Sequence, residues 1–335
     1  MLDCLKELTA LNAVSGDEGA VREYIFRRIE GFCETTVDPL GNILAWKKGK
    51  QRAQKKIMLD AHMDEVGLII SSVTEDGFLK CKTVGGIDTS VLMFRQVKIG
   101  EINGVIGGKP IHLLGEGERK KLPDPDCLTI DIGAASKEEA LRMVHLGDRA
   151  VITGEFCRMG DVIKAKAIDD RVGCAILISL LQEEAEYDFC AVFSVQEEIG
   201  LRGARTAAYT VDPQAALVLE ATTAADIAGV SEENRVCRLG QGPAVSFMDR
   251  STLYDRAYYE AALASGIPCQ PKAAVAGGNN AGAVHLSRGG VRTLAISVPC
   301  RYLHSPSCMA HVQDMENAKK LARYLLEGIA SGRIV

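Results

Sequence analysis

The feature that most constrains the fold of this chain is a short apolar run that ends in two adjacent carboxylates. Residues 189–195 read FCAVFSV, and Gln196, Glu197 and Glu198 follow. A run of this length, rich in β-branched and aromatic residues, is typical of an interior strand of an α/β sheet. Such sheets place ligands beyond the carboxyl ends of their strands, where Glu197 and Glu198 fall. Because neighbouring strand residues point to opposite sides, the sequence predicts different roles for the two acids.

The arrangement of apolar runs predicts an α/β domain that is interrupted by an all-β insertion. Short strands and helices alternate up to residue 65 and again after about residue 163, whereas residues 66–162 carry brief β-type runs separated by Gly and Pro. Turns at this frequency are typical of a compact barrel or sandwich. We therefore expect a discontinuous α/β domain of residues 1–65 and 163–335 and an inserted β domain of residues 66–162. Within the insertion, only residues 137–145 predict a convincing helix.

Metal-type ligands end a strand or an apolar run at five places in the α/β portion. These are AHMDE around His62 and Asp64, AIDDR around Asp169, QEE at Glu197 and Glu198, VLE at Glu220, and YLHSP at His304. Two imidazoles and several carboxylates suit a pair of divalent ions such as Zn, Co or Mn. A hydrolytic site with two ions needs one carboxylate to bridge them and another that stays off the metals as proton acceptor. The set of residues meets this demand.

Each of these residues has a commoner structural explanation when it is taken alone. A lone histidine such as His62 is more often satisfied by a backbone carbonyl, and Asp169 with its neighbours could cap a helix and form an ion pair. Glu220 could be a surface acid, and His304 could start a turn. Asp64 lies two residues after His62 on the same side of an extended backbone, which suits a carboxylate that orients the imidazole. Five such coincidences together favour a metal site.

Composition narrows the class of protein. The chain has 335 residues, of which 47% are apolar and 25% charged, as in an ordinary soluble globular protein large enough for two domains. No apolar run approaches the roughly 20 residues that span a bilayer, and we expect neither a secretory signal nor membrane association. A formal net charge of −5 argues against a nucleic-acid partner. Eleven scattered cysteines without a Cys-x-x-Cys pair predict a cytoplasmic protein with free thiols.

The motifs around these ligands resemble those of the M42 metallo-aminopeptidases, relatives of the wider M20 and M28 di-zinc peptidases. The likeness runs over essentially the whole chain and is carried by AHMDE at 61–65, AIDDR at 167–171, EEIGLRGA at 197–204 and RYLHSP at 301–306. It implies an α/β, mixed-sheet di-zinc peptidase (phosphorylase/hydrolase-like) domain with an inserted PDZ-like β-barrel dimerisation domain. It also implies short peptide substrates and a homo-oligomer, either a dimer or a dodecamer.

The same resemblance implies a role for each site residue. The activity expected is that of a co-catalytic di-metal aminopeptidase that removes N-terminal residues from short peptides. Glu197 is expected to act as general base on a metal-bridging water, and Asp64 to orient His62. The expected metal ligands are His62 and Glu220 for one ion, Glu198 and His304 for the other, and Asp169 as the bridge.

Two positions depart from the pattern of the family. Glu220 stands where Asp is frequent, and its longer side chain changes the spacing of the ligands. Asn280, in the glycine-rich run 276–283, stands where Asp is usual, which removes a negative charge near the expected substrate cleft. Arg301, close to His304 in sequence, could select acidic N-terminal residues or could pair with a structural carboxylate.

Three other functions are open on the sequence alone. A glycan hydrolase could use two carboxylates, and some relatives carry endoglucanase labels, but 5% aromatic residues with one tryptophan supply few sugar-stacking surfaces. A binding or assembly protein, weakened at Glu220 and Asn280, is opposed by the presence of Glu197 and of all five ligand positions. A cysteine hydrolase that uses Cys300 or Cys308 lacks any feature that would mark a thiolate.

Overall fold

The computed structural model describes residues 1–117, 120–275 and 277–335. Its strands are β1 (Glu34–Val37), β2 (Ile43–Lys47), β3 (Ile57–His62), β4 (Gly67–Val73), β5 (Leu79–Val84), β6 (Gln96–Ile99), β7 (Ile102–Gly107), β8 (Thr129–Asp131), β9 (Arg149–Ile152), β10 (Cys157–Met159), β11 (Val162–Ala165), β12 (Phe189–Ser194), β13 (Ala215–Thr223), β14 (Ala244–Val245), β15 (Gln270–Pro271), β16 (Arg292–Arg301) and β17 (Cys308–His311). Its helices are α1 (Leu2–Ala10), α2 (Gly19–Ile29), α3 (Thr89–Leu92), α4 (Lys137–Met143), α5 (Ile168–Gln182), α6 (Arg202–Val211), α7 (Arg256–Leu263), α8 (Ala281–Val284) and α9 (Val312–Ala330).

One large mixed sheet forms the centre of the α/β domain. Its order is β1-β2-β12-β3-β13-β16-β17-β11-β10, with β14 paired to β16 and β15 to β14. The four neighbours β12, β3, β13 and β16 run parallel, and the other pairings of the sheet are antiparallel except that of β14 with β15, which is parallel. Every residue of β3 and β12 is buried, as expected for the middle of a sheet that is covered on both faces. The predicted interior strand before the two glutamates is β12.

Helices cover both faces of this sheet. Along β12, Phe189, Ala191 and Phe193 belong to an apolar cluster that includes α1, α2, α5 and α9. Cys190 and Val192, which alternate with them, belong to a second cluster with α6 and α8. The alternation follows from the two-residue period of a strand. The domain therefore has three layers, and the sheet is the middle one.

Strands β4 to β9 close into a separate antiparallel barrel in the order β4-β5-β8-β7-β6-β9. Apolar side chains fill its interior, among them Leu68, Leu79, Val97, Ile106 and Ile130. The barrel lies between β3 and β10 in the chain, so it interrupts the α/β domain as an insertion. β10, within the range 66–162 assigned to the insertion, pairs with β11 of the large sheet. The predicted fold class, a mixed-sheet α/β domain with an inserted β-barrel, is confirmed.

The helices add some detail to the expectations from sequence. In the barrel domain the short helix α3 accompanies the predicted helix, which is α4. α5 begins at Ile168, and Asp169 and Asp170, in its first turn, have non-helical backbone angles. Within the described residues, no helix is both long enough and apolar enough to cross a membrane.

Candidate active site and metal centre

The carboxyl ends of the parallel strands bring most of the candidate site residues together. His62 is the last residue of β3, and Glu197 and Glu198 follow β12 after a short link. Glu220 lies within β13 at the level of His62, and β13 continues beyond it rather than ending there. His304 follows β16. Residues far apart in sequence thus meet at one edge of the sheet.

Asp169, in the first turn of α5, lies between the two imidazoles. One of its carboxylate oxygens, Oδ1, is 3.4 Å from His62 Nε2, and the other, Oδ2, is 3.4 Å from His304 Nε2. Glu220 Oε2 is 3.7 Å from His62 Nε2, and Glu198 Oε1 is 3.3 Å from His304 Nε2. The five side chains therefore form two triplets that share Asp169, and the ligand atoms of each triplet lie within 4.8 Å of one another.

Buried oxygens without hydrogen-bond partners indicate that this cluster can hold cations. In the described part of the chain, Asp169 Oδ1, Glu198 Oε1 and Glu220 Oε1 are buried and accept no hydrogen bond. An unpaired buried carboxylate oxygen is costly unless a charge compensates it. Imidazole nitrogen and carboxylate oxygen form the ligand set of zinc in many hydrolytic sites. These residues therefore fit divalent ions.

The carboxylates also shift the pKa values of their neighbours. Burial alone would lower the pKa of His62, but Glu220 and Asp169 outweigh it and raise that pKa well above its usual value. Burial raises the pKa of Glu197 to about 8; the charge of Glu198 adds to this effect, whereas that of His62 opposes it. Glu197 also forms a triplet with His62 and Glu198 whose ligand atoms lie within 4.8 Å of one another. The site thus concentrates negative charge in a buried place.

Asp64 holds the loop that carries the two adjacent glutamates. Its carboxylate accepts hydrogen bonds from the N–H of Glu197 at 3.0 Å, from the N–H of Glu198 at 3.2 Å and from Ser15 Oγ at 2.7 Å. His62 Nδ1 is 3.1 Å from the backbone carbonyl of Asp64 and 3.4 Å from its carboxylate. Asp64 therefore orients His62 largely through its main chain, and its side chain fixes both acids. The second of these roles was missed from the sequence.

His304 is held differently from His62. Its backbone has a φ of 56°, and its side chain is 30% exposed, compared with 1% for His62. Its Nδ1 lies 2.7 Å from the carbonyl of Gly86, in the loop that follows β5 of the barrel. Sequence reasoning missed this contact. The Gly85-Gly86 pair could have pointed to it, because paired glycines allow a close approach of the backbone.

Asp170 has the helix-capping role that the sequence left open for its motif. Its carboxylate accepts the N–H of Gly173 at 2.9 Å and the N–H of His62 at 3.1 Å. Arg171 is fully buried and donates to backbone carbonyls at the end of α1 and after β3. Of the two adjacent acids, Asp169 thus faces the histidines, whereas Asp170 has the capping role.

Asn280 does not lie in the cleft, in contrast to the expectation from sequence. Its side chain is fully buried, and its Nδ2 donates to Asp60 Oδ2 at 2.7 Å and to Ser194 Oγ at 2.8 Å. Asn280 therefore links β3 and β12 from a buried position. Ala276, in the same glycine-rich run, lies outside the described residues.

Arg301 and the cysteines near His304 are structural. Arg301 forms a bidentate ion pair with Asp226, at 2.7 and 2.8 Å, so the second of the two roles left open for it holds. Cys300 and Cys308 are buried, and burial raises the pKa of Cys308 to about 11 and that of Cys300 well above its usual value. A thiol with a raised pKa is a poor nucleophile at neutral pH.

Several known proteins with similar sequences and structures carry peptidase names, and one similar structure, from Thermotoga maritima, is named an endoglucanase (34% identity, TM-score 0.82, covering 99% of each chain). The family profile of the M42 glutamyl aminopeptidases matches residues 41–321. A protein of Acetivibrio thermocellus that carries an aminopeptidase name is 39% identical over 328 residues, which cover 96% of this chain and 97% of that protein. The glutamyl aminopeptidase of Lactococcus lactis is 30% identical over 351 residues, covering 100% of this chain and 98% of that protein.

A solved structure extends the similarity to the whole fold. The TET1 peptidase of Pyrococcus horikoshii, described as able to assemble into a tetrahedron or a large octahedral shell, matches with a TM-score of 0.84 and 35% identity. The match covers 97% of this chain and 98% of that one. Fold, site and relatives together define the class of this protein as an aminopeptidase. The chain belongs to the M42 family, and the resemblance read from its motifs is confirmed.

Proposed function

We propose that this aminopeptidase is a co-catalytic two-metal enzyme that removes N-terminal residues from short peptides. The ligands would be His62 and Glu220 for one divalent ion (Zn, Co or Mn), Glu198 and His304 for the other, and Asp169 as the bridge. The observation that carries the proposal is the position of Asp169, whose two oxygens each lie 3.4 Å from a different imidazole. The unpaired buried oxygens of three of these carboxylates support it.

Glu197 is the proposed general base. When bound, the two ions would acidify a shared water and polarise the carbonyl of the scissile bond. Glu197 would be the group that accepts the proton of the attacking water and returns it to the leaving amine. Asp64 keeps the backbone of Glu197 in position through the 3.0 Å hydrogen bond to its N–H.

The charge of the site suits a free amino terminus. Four carboxylates lie at this site, and a free α-amine can be held by them as a charged hydrogen-bond donor, which an acetylated or internal residue cannot be. Cleavage is therefore restricted to chain ends. Arg301 does not select an acidic N-terminal residue, because Asp226 already neutralises it.

We further propose that the chain forms a homo-oligomer, a dimer or a dodecamer, with the inserted barrel as the dimerisation domain. The similar Pyrococcus horikoshii peptidase assembles into closed shells. The barrel domain also exposes large apolar side chains, with Phe94 64%, Leu113 58% and Leu122 56% exposed. Apolar groups this exposed are typical of surfaces that bind another protein chain.

The cysteines support the cytoplasm as the site of the activity. All eleven are free thiols, as a reducing compartment would keep them.

The test of the function is hydrolysis of aminoacyl-anilides by metal-stripped protein to which Zn, Co or Mn is added back. We expect the metal to restore cleavage of anilides with a free amine and to leave their acetylated counterparts uncut. Equal cleavage of the two series, or cleavage without metal, would contradict the proposal. Cleavage of glucan oligosaccharides alone would favour the glycan hydrolase instead.

A further inference from the structure

We propose that the turn formed by Gly85 and Gly86, in the inserted barrel, positions His304 and thereby completes the second metal site. The inference rests on the two-metal function proposed above. His304 Nδ1 lies 2.7 Å from the carbonyl oxygen of Gly86. A carbonyl oxygen can only accept, so Nδ1 carries the hydrogen, and the free electron pair of the ring is on Nε2. A backbone carbonyl in this position fixes the tautomer and orientation of a metal-ligating histidine.

The nitrogen left free by this hydrogen bond is the one that faces the site. His304 Nε2 is 3.3 Å from Glu198 Oε1 and 3.4 Å from Asp169 Oδ2. The Gly86 carbonyl lies on the opposite side of the ring, so the imidazole is held between the barrel and the carboxylates. Displacement of the turn would rotate Nε2 away from its two partners.

The same turn approaches the second ligand of this site. Gly85 has a φ of +84°, and a Cβ placed there would lie 2.8 Å from Val66 Cγ1 and 3.3 Å from Glu198 Cβ. Only glycine combines this backbone conformation with so close an approach. The turn therefore contacts His304 through the Gly86 carbonyl and leaves little room for a side chain beside Glu198.

The ligands of the first site are held within the α/β domain. His62 and Glu220 belong to β3 and β13 in the middle of the large sheet, and His62 Nδ1 contacts the carbonyl of Asp64, two residues along its own chain. His304, by contrast, lies on a loop with a left-handed backbone and is partly exposed. We therefore expect a defect in the turn to affect the second ion and not the first.

The position of the turn is set by the barrel as a unit. β5, which leads into it, pairs with both β4 and β8, and Asp88, just beyond it, caps α3 by accepting the N–H of Ser90 at 2.8 Å. The placement of the barrel on the α/β domain therefore affects how tightly the second site binds its metal ion. Binding of that ion in turn stabilises this placement of the barrel.

The test is zinc titration of metal-stripped, full-length protein, with bound metal counted by mass spectrometry. We expect two zinc ions per chain for the unaltered protein. In Gly85→Ala, the first ion is expected to bind as before and the second about 10- to 100-fold more weakly, the range for loss of a group that orients a ligand. Gly85→Asn is the second variant, because Asn tolerates the left-handed conformation better and still places a Cβ against Val66 and Glu198.

A matched control separates the contact from backbone strain. Gly100, in the turn between β6 and β7 of the same barrel, has a φ of +55° and no atom within 4 Å of an added Cβ. Gly100→Ala carries a similar strain without touching the site and is expected to bind two ions. Unfolding temperatures of the metal-free proteins show whether any variant has simply lost its fold.

Double variants identify the ion that is weakened. Adding His62→Ala to Gly85→Ala is expected to remove the remaining tight ion, whereas adding His304→Ala is expected to leave it. Two tight ions in both Gly85 variants, or loss of the ion held by His62, would overturn the inference. Fewer than two ions in the unaltered protein would instead reject the two-metal function on which it rests.

Discussion

Glu197 and Glu198 are neighbours in the chain, but replacing each by its amide is expected to impair the enzyme in a different way. Glu197→Gln is expected to lower kcat by about 10²- to 10⁴-fold, because the proton acceptor is lost, and to keep its metal content. Glu198→Gln is expected to lose one ion, because it removes a charged ligand next to His304. Turnover of an aminoacyl-anilide and metal content per chain are measured on the same samples.

The two variants are controls for each other, since they make the same chemical change one residue apart. Loss of a metal ion from Glu197→Gln would assign Glu197 to coordination, through the triplet that it forms with His62 and Glu198. Full activity in Glu197→Gln would remove it from the mechanism.

Asn280→Asp, which restores the residue usual in the family, is expected to destabilise this chain. The change removes the amide donor to Asp60 and Ser194 and places a second carboxyl group against Asp60 in a fully buried position. Two acids this close cannot both be charged, so they share a proton and their folded-state pKa lies above that in the unfolded chain. Stability is then kept at low pH and lost as the pH rises through the folded-state pKa.

We expect Asn280→Asp to cost about 3 kcal/mol of unfolding free energy at pH 8, as for an uncompensated buried charge, and clearly less at pH 5. Urea unfolding in metal-free buffer at both pH values measures this difference. Asn234→Asp, at an exposed position, is the control and is expected to change the unfolding free energy by less than about 0.5 kcal/mol. Equal stability of Asn280→Asp and the unaltered chain at pH 8 would contradict the prediction.

At the scale of the element, the strands were predictable and the loops at their ends were not. The apolar runs before His62 and Glu197 identified β3 and β12 because interior strands bury every residue. The proposed ligand residues themselves could be selected by residue type. Their geometry depends on left-handed backbone at Gln196, Leu201 and His304, which are not glycines and whose conformation the tertiary packing imposes.

The contacts that cross between elements left almost no trace in the sequence. The Gly86 carbonyl is a backbone group, and no residue type marks it as a partner for His304. The buried position of Asn280 follows from Asp60 and Ser194, on two strands far away in the chain, so local pattern could not separate a cleft residue from a core residue. The family motif identified which residues to consider, and only the fold shows what each of them packs against.

The junction between β12 and α6 depends on the absence of one side chain. A Cβ at Gly203 would lie 2.3 Å from both Val195 O and Asn42 Oδ1. Gly203→Ala is therefore expected to lower the free energy of unfolding by up to about 3 kcal/mol. This loss exceeds the roughly 1 kcal/mol by which alanine favours a helix over glycine. Urea denaturation measures this loss. Gly289→Ala, where an added Cβ meets nothing within 4 Å, is expected to be nearly neutral, and equal midpoints for the two variants would contradict the prediction.

At the scale of the whole molecule, the two parts of the chain could be told apart from the sequence because turn residues are more frequent in the barrel.

The proposal that the barrel is the dimerisation domain predicts that Phe94→Glu shifts the protein to a smaller oligomer. A charge on a side chain that is 64% exposed in one chain costs little there but is buried unpaired if the barrel forms an interface. Size-exclusion chromatography with light scattering reports the mass.

Leu263→Glu is the control for this prediction, because it places the same charge at a 41% exposed leucine of α7 in the α/β domain. It is expected to keep the assembly of the unaltered chain. If only Leu263→Glu dissociates the protein, the subunits meet through the α/β domain and the role assigned to the barrel is wrong.

The order of the proposed ligands along the chain also determines when the site can form during translation. His62 leaves the ribosome first and His304 last, and at about 5 to 20 residues per second the interval between them is roughly 10 to 50 s. Within this interval β13 is made well before its parallel neighbour β16, and α9, which covers the sheet, follows later still. If His304 is the ligand proposed above, a peptidase built in this order cannot attack peptides, including its own emerging chain, until β16 and the loop beyond it have been synthesised.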